Sequence, residues 1–339
     1  MKKKIVIILL ALMMLVLCGC GGAESMPVKL LIVPHFEIDE MSGDFPGEAQ
    51  LFYEEYLNGC DVYETASGTT VYYNPKNGVA MYMTGVGKVN SAMTMTSVLS
   101  DERFDFSQAY ILSPGCAGGA KGYSIFGDVV LITAACDYDL GHTVDGQTAG
   151  TPESGAVWFH DSDFDHIGCK VLNESLMDQV YTLTKDIELD TTDIAVRTLE
   201  RNFPGEEWTQ RDAKVLRGTT ITSDNYWKGE QEHERAAQIV DFYQVPDPYA
   251  ITEMEDLAGA CAAEHFGMLD RLIILRCNVN ADVFLNEDTP QSLWGDRADY
   301  YSTVSDDNAE TLDIFEPAMR NTFKVGKVIA DAILNGELK

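Results

Sequence analysis

The chain has 339 residues, of which 45% are hydrophobic and 10% are aromatic, so it can bury a sizeable core, and global disorder is excluded. It carries 54 Asp and Glu residues against 24 Lys and Arg residues, a formal net charge of -30. A negative field of this size repels nucleic acid and anionic membrane surfaces, and it makes free anionic ligands hard to hold without local cations.

Residues 1–19 are typical of a bacterial export signal. Three consecutive lysines precede the apolar run 5–17, which is short for a membrane-spanning helix. The Leu-Cys-Gly-Cys order that ends at Cys20 resembles a lipobox, so we expect cleavage before Cys20 and lipidation of that residue. Residues 20–27 then form a tether, and the body, 28–339, is held at the outer face of a bacterial cell membrane. With the three lysines removed, 21 cations face 54 acids, a net charge of -33.

Apolar runs and amphipathic spacing alternate along the mature chain. The apolar runs predict strands at 28–36, 71–74, 79–84, 109–113, 128–135, 213–222, 249–252 and 271–277, with a hairpin turn at 75–78. The amphipathic segments predict helices at 47–57, 90–99, 173–186, 230–243, 255–266 and 316–334. The acidic, turn-rich segment 137–165 is predicted to be a surface excursion. This alternation favours a single α/β domain.

The mature chain shows no metal-binding motif, and its sequence leaves open whether disulfides form. An exported chain with an even set of cysteines can form disulfides, but Cys116, Cys261 and Cys277 lie in glycine-rich or apolar surroundings typical of small buried side chains. There is no CxxC pair, so no zinc site is predicted. The acidic turn at 161–166 has His166 where a calcium loop needs glycine, so it is interpreted as a solvated turn.

Four short motifs follow predicted strands, and each has a structural and a functional interpretation. GVGKVN at 85–90 is a glycine turn before a helix; it is not a P-loop, because Tyr82 and Val89 stand where that motif needs Gly and Ser or Thr. SPGCAGG at 113–119 is either a turn or a place where backbone amides approach a ligand. In SDNYW at 223–227, the aromatic pair either stacks on a flat ring or packs in the core.

The fourth motif, Glu253-Met254-Glu255-Asp256, either accepts vicinal hydroxyls or complements a helix dipole. Taken in order, GVGKVNSA, SPGCAGG with GDVV, TSDNYW, TEMED and LRCNVNAD resemble the nucleoside phosphorylase/nucleosidase superfamily, and within it the purine nucleoside permease family. The resemblance covers roughly residue 28 to the C-terminus. It implies a three-layer α/β sandwich around a mixed central sheet.

The resemblance also implies roles for particular residues. Met254 and Glu255 would hold ribose, the Glu taking the sugar hydroxyls. Tyr226, with Trp227 beside it, would stack on the purine. The loop residues Gly115, Cys116 and Ala117 would line the nucleophile's side of the sugar. The water-activating acid after the first strand is one of Glu37, Asp39 and Glu40, and we take Glu37.

The sequence departs from the superfamily pattern in two respects. Ser113 and Cys116 stand where many bacterial phosphorylases have a phosphate-gripping Arg and a loop Ser or Thr, so the phosphate site looks depleted. Asn280 stands where an Asp commonly protonates purine N7. Asn donates a hydrogen bond but delivers no proton, and Asp282 is a candidate substitute.

The catalytic candidates are therefore Asn280, Asp282 and Glu37, with Asn280 also at the base. A carboxylate near the sugar stabilises positive charge there as the N-glycosidic bond breaks, and a donor at N7 relieves negative charge on the leaving purine.

Three functions remain open. The first is a purine nucleosidase or nucleoside phosphorylase outside the cytoplasm. The second is a non-catalytic lipoprotein that captures nucleosides for a separate transporter, because a single lipid-anchored domain of this type is not itself a channel. The third is a degenerate scaffold. The expected ligand is a purine nucleoside, with no cofactor or metal, phosphate as the one candidate co-substrate, and a homo-oligomer by analogy.

Overall fold

A computed structural model describes residues 25–143, 157–158, 168–286 and 309–338. The predicted signal at 1–19, the lipidation site Cys20 and most of the predicted excursion at 137–165 lie outside these ranges. No helix within them is both long and apolar enough to cross a membrane.

The described elements alternate between strands and helices, as the apolar patterning predicts. The strands are β1 Met26–Pro27, β2 Leu30–Ile32, β3 Asp61–Glu64, β4 Thr70–Asn74, β5 Val79–Met81, β6 Phe104–Asp105, β7 Tyr110–Gly119, β8 Val129–Asp137, β9 His142–Thr143, β10 Val157–Trp158, β11 Cys169–Val171, β12 Val215–Thr222, β13 Tyr249–Glu253 and β14 Leu272–Ala281. The helices are α1 Gln50–Tyr56, α2 Lys88–Leu99, α3 Glu174–Thr184, α4 Asp193–Asn202, α5 Glu230–Tyr243, α6 Asp256–His265 and α7 Ala309–Leu334.

Ten strands form one mixed central sheet. Its order is β11-β8-β12-β13-β7-β2-β5-β4-β3, with β14 pairing to both β7 and β8. β2 runs parallel to both β5 and β7, and β14 runs parallel to β7 but antiparallel to β8. The pairs β3–β4, β4–β5 and β11–β8 are antiparallel. The predicted hairpin is confirmed, because β4 and β5 pair antiparallel across residues 75–78.

Helices cover both faces of this sheet. On β14, Arg276 reaches Asp256 at the start of α6, whereas the next residue, Cys277, hydrogen-bonds to Thr322 of α7. Successive side chains of a strand point to opposite faces, so α6 and α7 lie on opposite sides. α2 packs beside α6, and α7 contacts α1, α3 and α4. The predicted α/β sandwich around a mixed sheet is confirmed.

The largest departures from the predicted elements occur at the strands that carry polar or glycine residues. The first strand, predicted at 28–36, is only Leu30–Ile32. β7 continues from the apolar run through the glycines to Gly119, and β14 continues to Ala281. The two extensions pair with each other in parallel. Here the glycines leave room for long polar side chains of β14: a Cβ on Gly118 would lie 2.7 Å from Asn280 Oδ1.

Candidate functional site

A fully buried arginine lies at the centre of the candidate site. The side chain of Arg276 is 1% exposed, and its Nη2 lies 2.6 Å from Asp256 Oδ1. The same nitrogen lies 3.3 Å from Glu255 Oε2 and 3.4 Å from Glu253 Oε2. Its Nη1 donates to the carbonyl of Cys116 at 3.1 Å and lies 3.9 Å from Glu48 Oε1. One guanidinium is thus enclosed by four carboxyl groups, none of them more than 6% exposed.

Two opposing effects act on the pKa values of Glu48, Glu255 and Asp256: burial raises them, and the positive charge of Arg276 lowers them. Burial raises the pKa of Glu48 and, more strongly, that of Asp256, and in both cases Arg276 opposes the rise. Burial raises the pKa of Glu255 to about 7, again opposed by Arg276 and reinforced by Glu253. Glu255 therefore exchanges a proton near neutral pH, where a group that is to take part in acid–base chemistry is most useful.

Glu255 is held by two separate elements. It stands at the N-cap position of α6, and its Oε1 accepts a hydrogen bond of 2.9 Å from the amide of Gly87, just before α2. Gly87 has φ of 96°, a conformation that favours glycine, so the GVG turn places this amide on the carboxylate. The preceding Met254 is partly buried. Of the two predicted ribose residues, Glu255 is therefore part of the Arg276 cluster, and Met254 directly precedes it in sequence.

A neutral histidine completes the cluster on the β2 side. Burial, and then the charge of Arg276, lower the pKa of His35 well below its ordinary value. Its Nε2 lies 2.9 Å from Arg276 Nη2, which only donates, so Nε2 accepts. Nδ1 therefore carries the hydrogen and donates to Thr84 Oγ1 at 2.7 Å. Ser113 Oγ lies 3.2 Å from the same Nε2 and 3.1 Å from the carbonyl of Val33, so it is part of this buried network.

The two acids near the first strand play different parts. Glu37, the predicted water-activating acid, accepts backbone N–H groups from Ile38 and from residues 47, 49 and 50 at the start of α1. Glu48 instead enters the site: its Oε1 accepts from the amide of Cys116 at 2.8 Å and its Oε2 from the amide of His35 at 2.7 Å. The sequence offers no signal for Glu48, because it lies inside a segment predicted as an amphipathic helix.

The glycine loop predicted at the nucleophile's side of the sugar is strand β7. A Cβ on Gly115 would overlap Arg276 Nη1 and lie 3.0 Å from Glu48 Oε1, so only glycine fits. Cys116 gives its amide to Glu48 and its carbonyl to Arg276. Burial, with Glu48 next, raises the pKa of the Cys116 thiol well above its ordinary value, so the thiol stays protonated. Ala117 is buried.

The predicted base residues Asn280 and Tyr226 contact each other. Asn280 Nδ2 donates to the Tyr226 hydroxyl at 3.1 Å, and Tyr226 is 52% exposed. Trp227, by contrast, is 8% exposed and stacks on Tyr138 with ring centroids 5.0 Å apart and planes 16° apart. Of the two aromatics, Tyr226 is about half exposed, and Trp227 follows the core-packing alternative.

Asp282 is buried and committed to other groups. It accepts hydrogen bonds from His233 Nδ1 at 2.6 Å, from the Tyr249 hydroxyl at 2.9 Å and from the amide of Lys121 at 3.1 Å. The hydrogen bond that His233 donates to Asp282 raises the pKa of His233. This pair, at the first turn of α5, was not found from the sequence because its members lie 49 residues apart.

A charged group joins the start of α2 to the segment that carries Tyr226. Lys88 Nζ lies 3.0 Å from Asp137, the last residue of β8, and 2.8 Å from Asp139, two residues further on. The Lys88 amide donates to Asp224 Oδ1 at 2.7 Å, and Asp139 accepts from Ser223 and from the amide of Asp224. In the part of the chain that the structure describes, no cluster of three His, Cys, Asp or Glu side chains is arranged to hold a metal ion.

The sequence matches a known protein family. The profile of the family described as Purine nucleoside permease (NUP) matches residues 27–337. A probable purine nucleoside permease of Schizosaccharomyces pombe is 24% identical over 234 residues, which is 62% of this chain and 67% of that protein. A purine nucleoside permease of Candida albicans is 25% identical over 162 residues, 44% of this chain and only 40% of that protein.

Solved structures show the same fold. A 5′-methylthioadenosine/S-adenosylhomocysteine nucleosidase from Colwellia psychrerythraea, crystallised with adenine, superposes with a TM-score of 0.53 at 18% identity over 93% of this chain and 97% of its own. The corresponding nucleosidase of Neisseria meningitidis, in complex with methylthio-immucillin-A, gives 0.53 at 16% identity over 90% and 99%. The nucleoside phosphorylase-like fold is thereby shown, and with the profile match over nearly its whole length the chain belongs to the purine nucleoside permease family.

Proposed function

We propose that this protein binds purine nucleosides outside the cytoplasm and cleaves their N-glycosidic bond by hydrolysis. One observation carries the proposal: Arg276 lies opposite Gly115 and Asn280 opposite Gly118 along the β7–β14 pair. Arg276 and Asn280 are four residues apart on β14, but a register shift between Asn278 and Asn280 sets them opposite positions only three residues apart on β7, about 10 Å at ~3.3 Å per residue. The carboxylate cluster and the amide donor are therefore spaced as the ribose and the purine of one nucleoside.

In this proposal, different residues of the chain act on the ribose and on the purine. Glu255, flanked by Met254, accepts the ribose hydroxyls and stabilises the positive charge that builds on the sugar. Asn280 donates a hydrogen bond to purine N7 as the bond electrons move onto the base, and Tyr226 covers the ring. Water adds its hydroxyl to the anomeric carbon, and its proton ends on the released purine. Glu48, which faces the loop at Cys116, is our candidate to orient this water; Glu37 remains the candidate from the resemblance.

Hydrolysis is favoured over phosphorolysis by the charges around Arg276. A phosphate site needs free donors, but this guanidinium already contacts Asp256, Glu255 and Glu253. Ser113 is bonded to His35 and to a backbone carbonyl. The four carboxyl groups, together with the net charge of -30, repel a phosphate dianion.

The second candidate is a nucleoside-capturing lipoprotein that serves a separate transporter. The pairing of Asp282 with His233 favours it, because this acid is not free to protonate the base and Asn280 delivers no proton. In both cases we propose anchoring through a lipid on Cys20. A homo-oligomer is also proposed, supported by the exposed apolar side chains of Val86, Val89 and Met93 around the start of α2; light scattering of the purified chain tests it.

The deciding experiment incubates residues 21–339 with inosine, guanosine and adenosine, with and without phosphate, and measures free base. Release without phosphate is expected; release only with phosphate identifies a phosphorylase, and calorimetric binding without release identifies a binder. Glu255→Gln should abolish ribose-dependent binding, whereas Glu174→Gln, an exposed acid at the start of α3, should bind as the wild type does. Absence of both binding and release for all three nucleosides contradicts both candidate functions.

A further inference from the structure

Two cysteines lie directly opposite each other on neighbouring antiparallel strands. Cys136 of β8 is the register partner of Cys169 of β11. The next pair along the ladder is hydrogen-bonded, with the amide of Asp137 donating to the carbonyl of Gly168 at 2.7 Å. Cys136 and Cys169 therefore occupy a non-hydrogen-bonded position, where opposed Cα atoms come within about 4.5 Å. That spacing lies in the range a disulfide requires, and the two Sγ atoms are in contact at 2.7 Å.

A second cysteine pair shows that opposed positions on neighbouring strands do not by themselves bring two sulfur atoms together. Cys116 and Cys277 are also partners, on the parallel strands β7 and β14. Their thiols, however, hydrogen-bond to different groups, Glu48 and Thr322 respectively. Only Cys136 and Cys169, among the cysteines that the structure describes, direct their sulfur atoms at each other.

We propose that Cys136 and Cys169 form a disulfide when a low-molecular-weight disulfide such as oxidised glutathione, or a protein dithiol oxidant, acts on the chain. Cys169 is partly exposed and Cys136 is buried. The Cys169 thiolate attacks one glutathione sulfur, the glutathione S–S bond breaks, and one glutathione leaves. Cys136 then loses its proton and attacks Cys169 Sγ, which releases the second glutathione. The two cysteines lose two electrons and two protons, and the oxidant is reduced to two thiols.

The order of attack follows from burial. Burial, together with the neighbouring Cys169 and Asp137, raises the pKa of Cys136 well above its ordinary value. The thiolate is the attacking species, so the partly exposed Cys169 reacts first and Cys136 resolves the mixed disulfide.

The bond would fix the end of β8 that faces the nucleoside site. The residue after Cys136 is Asp137, which with Asp139 holds Lys88 at the start of α2. Asp139 also accepts from the amide of Asp224, two residues before Tyr226. The covalent link joins the two ends of the segment that connects β8 to β11. It thereby reduces the conformational freedom of the unfolded chain.

The sequence makes the bond easy to map. Between Lys121 and Lys170 there is no Lys or Arg, so trypsin leaves Cys136 and Cys169 in one peptide, 122–170, and places each other cysteine of the mature chain in a different peptide. Residues 21–339 are exposed to oxidised glutathione, alkylated without reduction and digested. We expect peptide 122–170 to lack two hydrogen atoms, to carry no alkyl group, and to stay joined after cleavage at Glu153 until a reductant is added.

Variants separate this bond from other oxidation. Cys261→Ser, on the helix that packs against β8 and β11, should leave the result unchanged, whereas Cys136→Ala and Cys169→Ala should each abolish it. Reduction should lower the Tm of oxidised wild type by several degrees and leave that of Cys169→Ala unchanged. Alkylation of both cysteines in the oxidant-treated wild type, or a link between Cys116 and Cys277 instead, overturns the proposal. None of these readouts depends on nucleoside binding.

Discussion

Replacing Arg276 with methionine tests whether the charge cluster is held together by its single cation. The substitution removes the guanidinium from among Glu48, Glu253, Glu255 and Asp256 and leaves these acids buried without a counter-charge. Breaking a buried pair by removing one partner costs about 3–5 kcal/mol. A typical domain is stable by ~5–15 kcal/mol, so the loss is a large share of the total.

The loss should depend on pH with a definite sign. Burial already raises the pKa of Glu48, Asp256 and Glu255, and without Arg276 these pKa values rise further. A carboxyl whose pKa is higher in the folded than in the unfolded state stabilises fully below its unfolded pKa and loses that contribution as pH rises. The deficit of Arg276→Met should therefore be largest near pH 8 and shrink towards pH 5.

The assay is urea unfolding of wild type and variant at pH 5 and pH 8. Arg320→Met removes an exposed arginine that pairs with Glu316 four residues earlier, and as a control it should cost less than about 1 kcal/mol at both pH values. If Arg276→Met does not fold, adding Asp256→Asn removes the closest unpaired acid and should recover part of the stability. A deficit below about 1 kcal/mol at pH 8, or one equal at both pH values, refutes the reasoning.

Three further predictions concern single contacts of the site. Gly115→Ala places a Cβ against Arg276 and Glu48 and should lower the free energy of unfolding by ~1–3 kcal/mol. As a control, Gly259→Ala in α6, where a Cβ meets only ordinary van der Waals contacts, should be neutral or stabilising. Equal effects of the two substitutions would contradict this prediction. Asp282→Asn replaces the carboxylate whose hydrogen bond and negative charge raise the pKa of His233 with a neutral amide, so an NMR titration should show that pKa fall, and an unchanged value would show that Asp282 is not its cause. Because burial raises the pKa of Glu255 to about 7 and the ionised form accepts the ribose hydroxyls, inosine affinity should fall about fivefold from pH 7 to pH 6. The control Glu174→Gln should keep this dependence, and an affinity equal at the two pH values would contradict the role of Glu255.

The apolar patterns were sufficient for the α/β class and for most strands and helices. Continuous apolar runs such as that in β8 are typical of strands that are buried on both faces of a sheet. The sequence does not predict the ends of β7 and β14, because glycines and polar residues are not typical of a strand. Only the structure shows that polar side chains of β14 fill the space left by the glycines of β7. α4 was also missed, although Thr192 caps it and Ile194, Ala195, Thr198 and Leu199 form its buried face. That spacing was present in the sequence.

The site was predictable only where short motifs carried it. Met254, Glu255, Tyr226 and Asn280 follow from the ordered motifs; in the structure Asn280 contacts Tyr226, and Glu255 contacts Arg276. Glu48, His35 and His233 follow from no motif, because their roles depend on contacts between residues far apart in the sequence. Local sequence likewise cannot reveal that Asp282 accepts hydrogen bonds from His233 and Tyr249.

The interlocking of β7 and β14 has a consequence for how this family can vary. Positions 115, 118 and 119 each face a long side chain of the other strand, at 276, 280 and 278 respectively. A larger residue at any of the three glycines is compatible only with a smaller one across the ladder. Relatives of this chain should therefore change these positions in pairs, and a lineage that shortens residue 276 should be the one in which position 115 is free to gain a side chain.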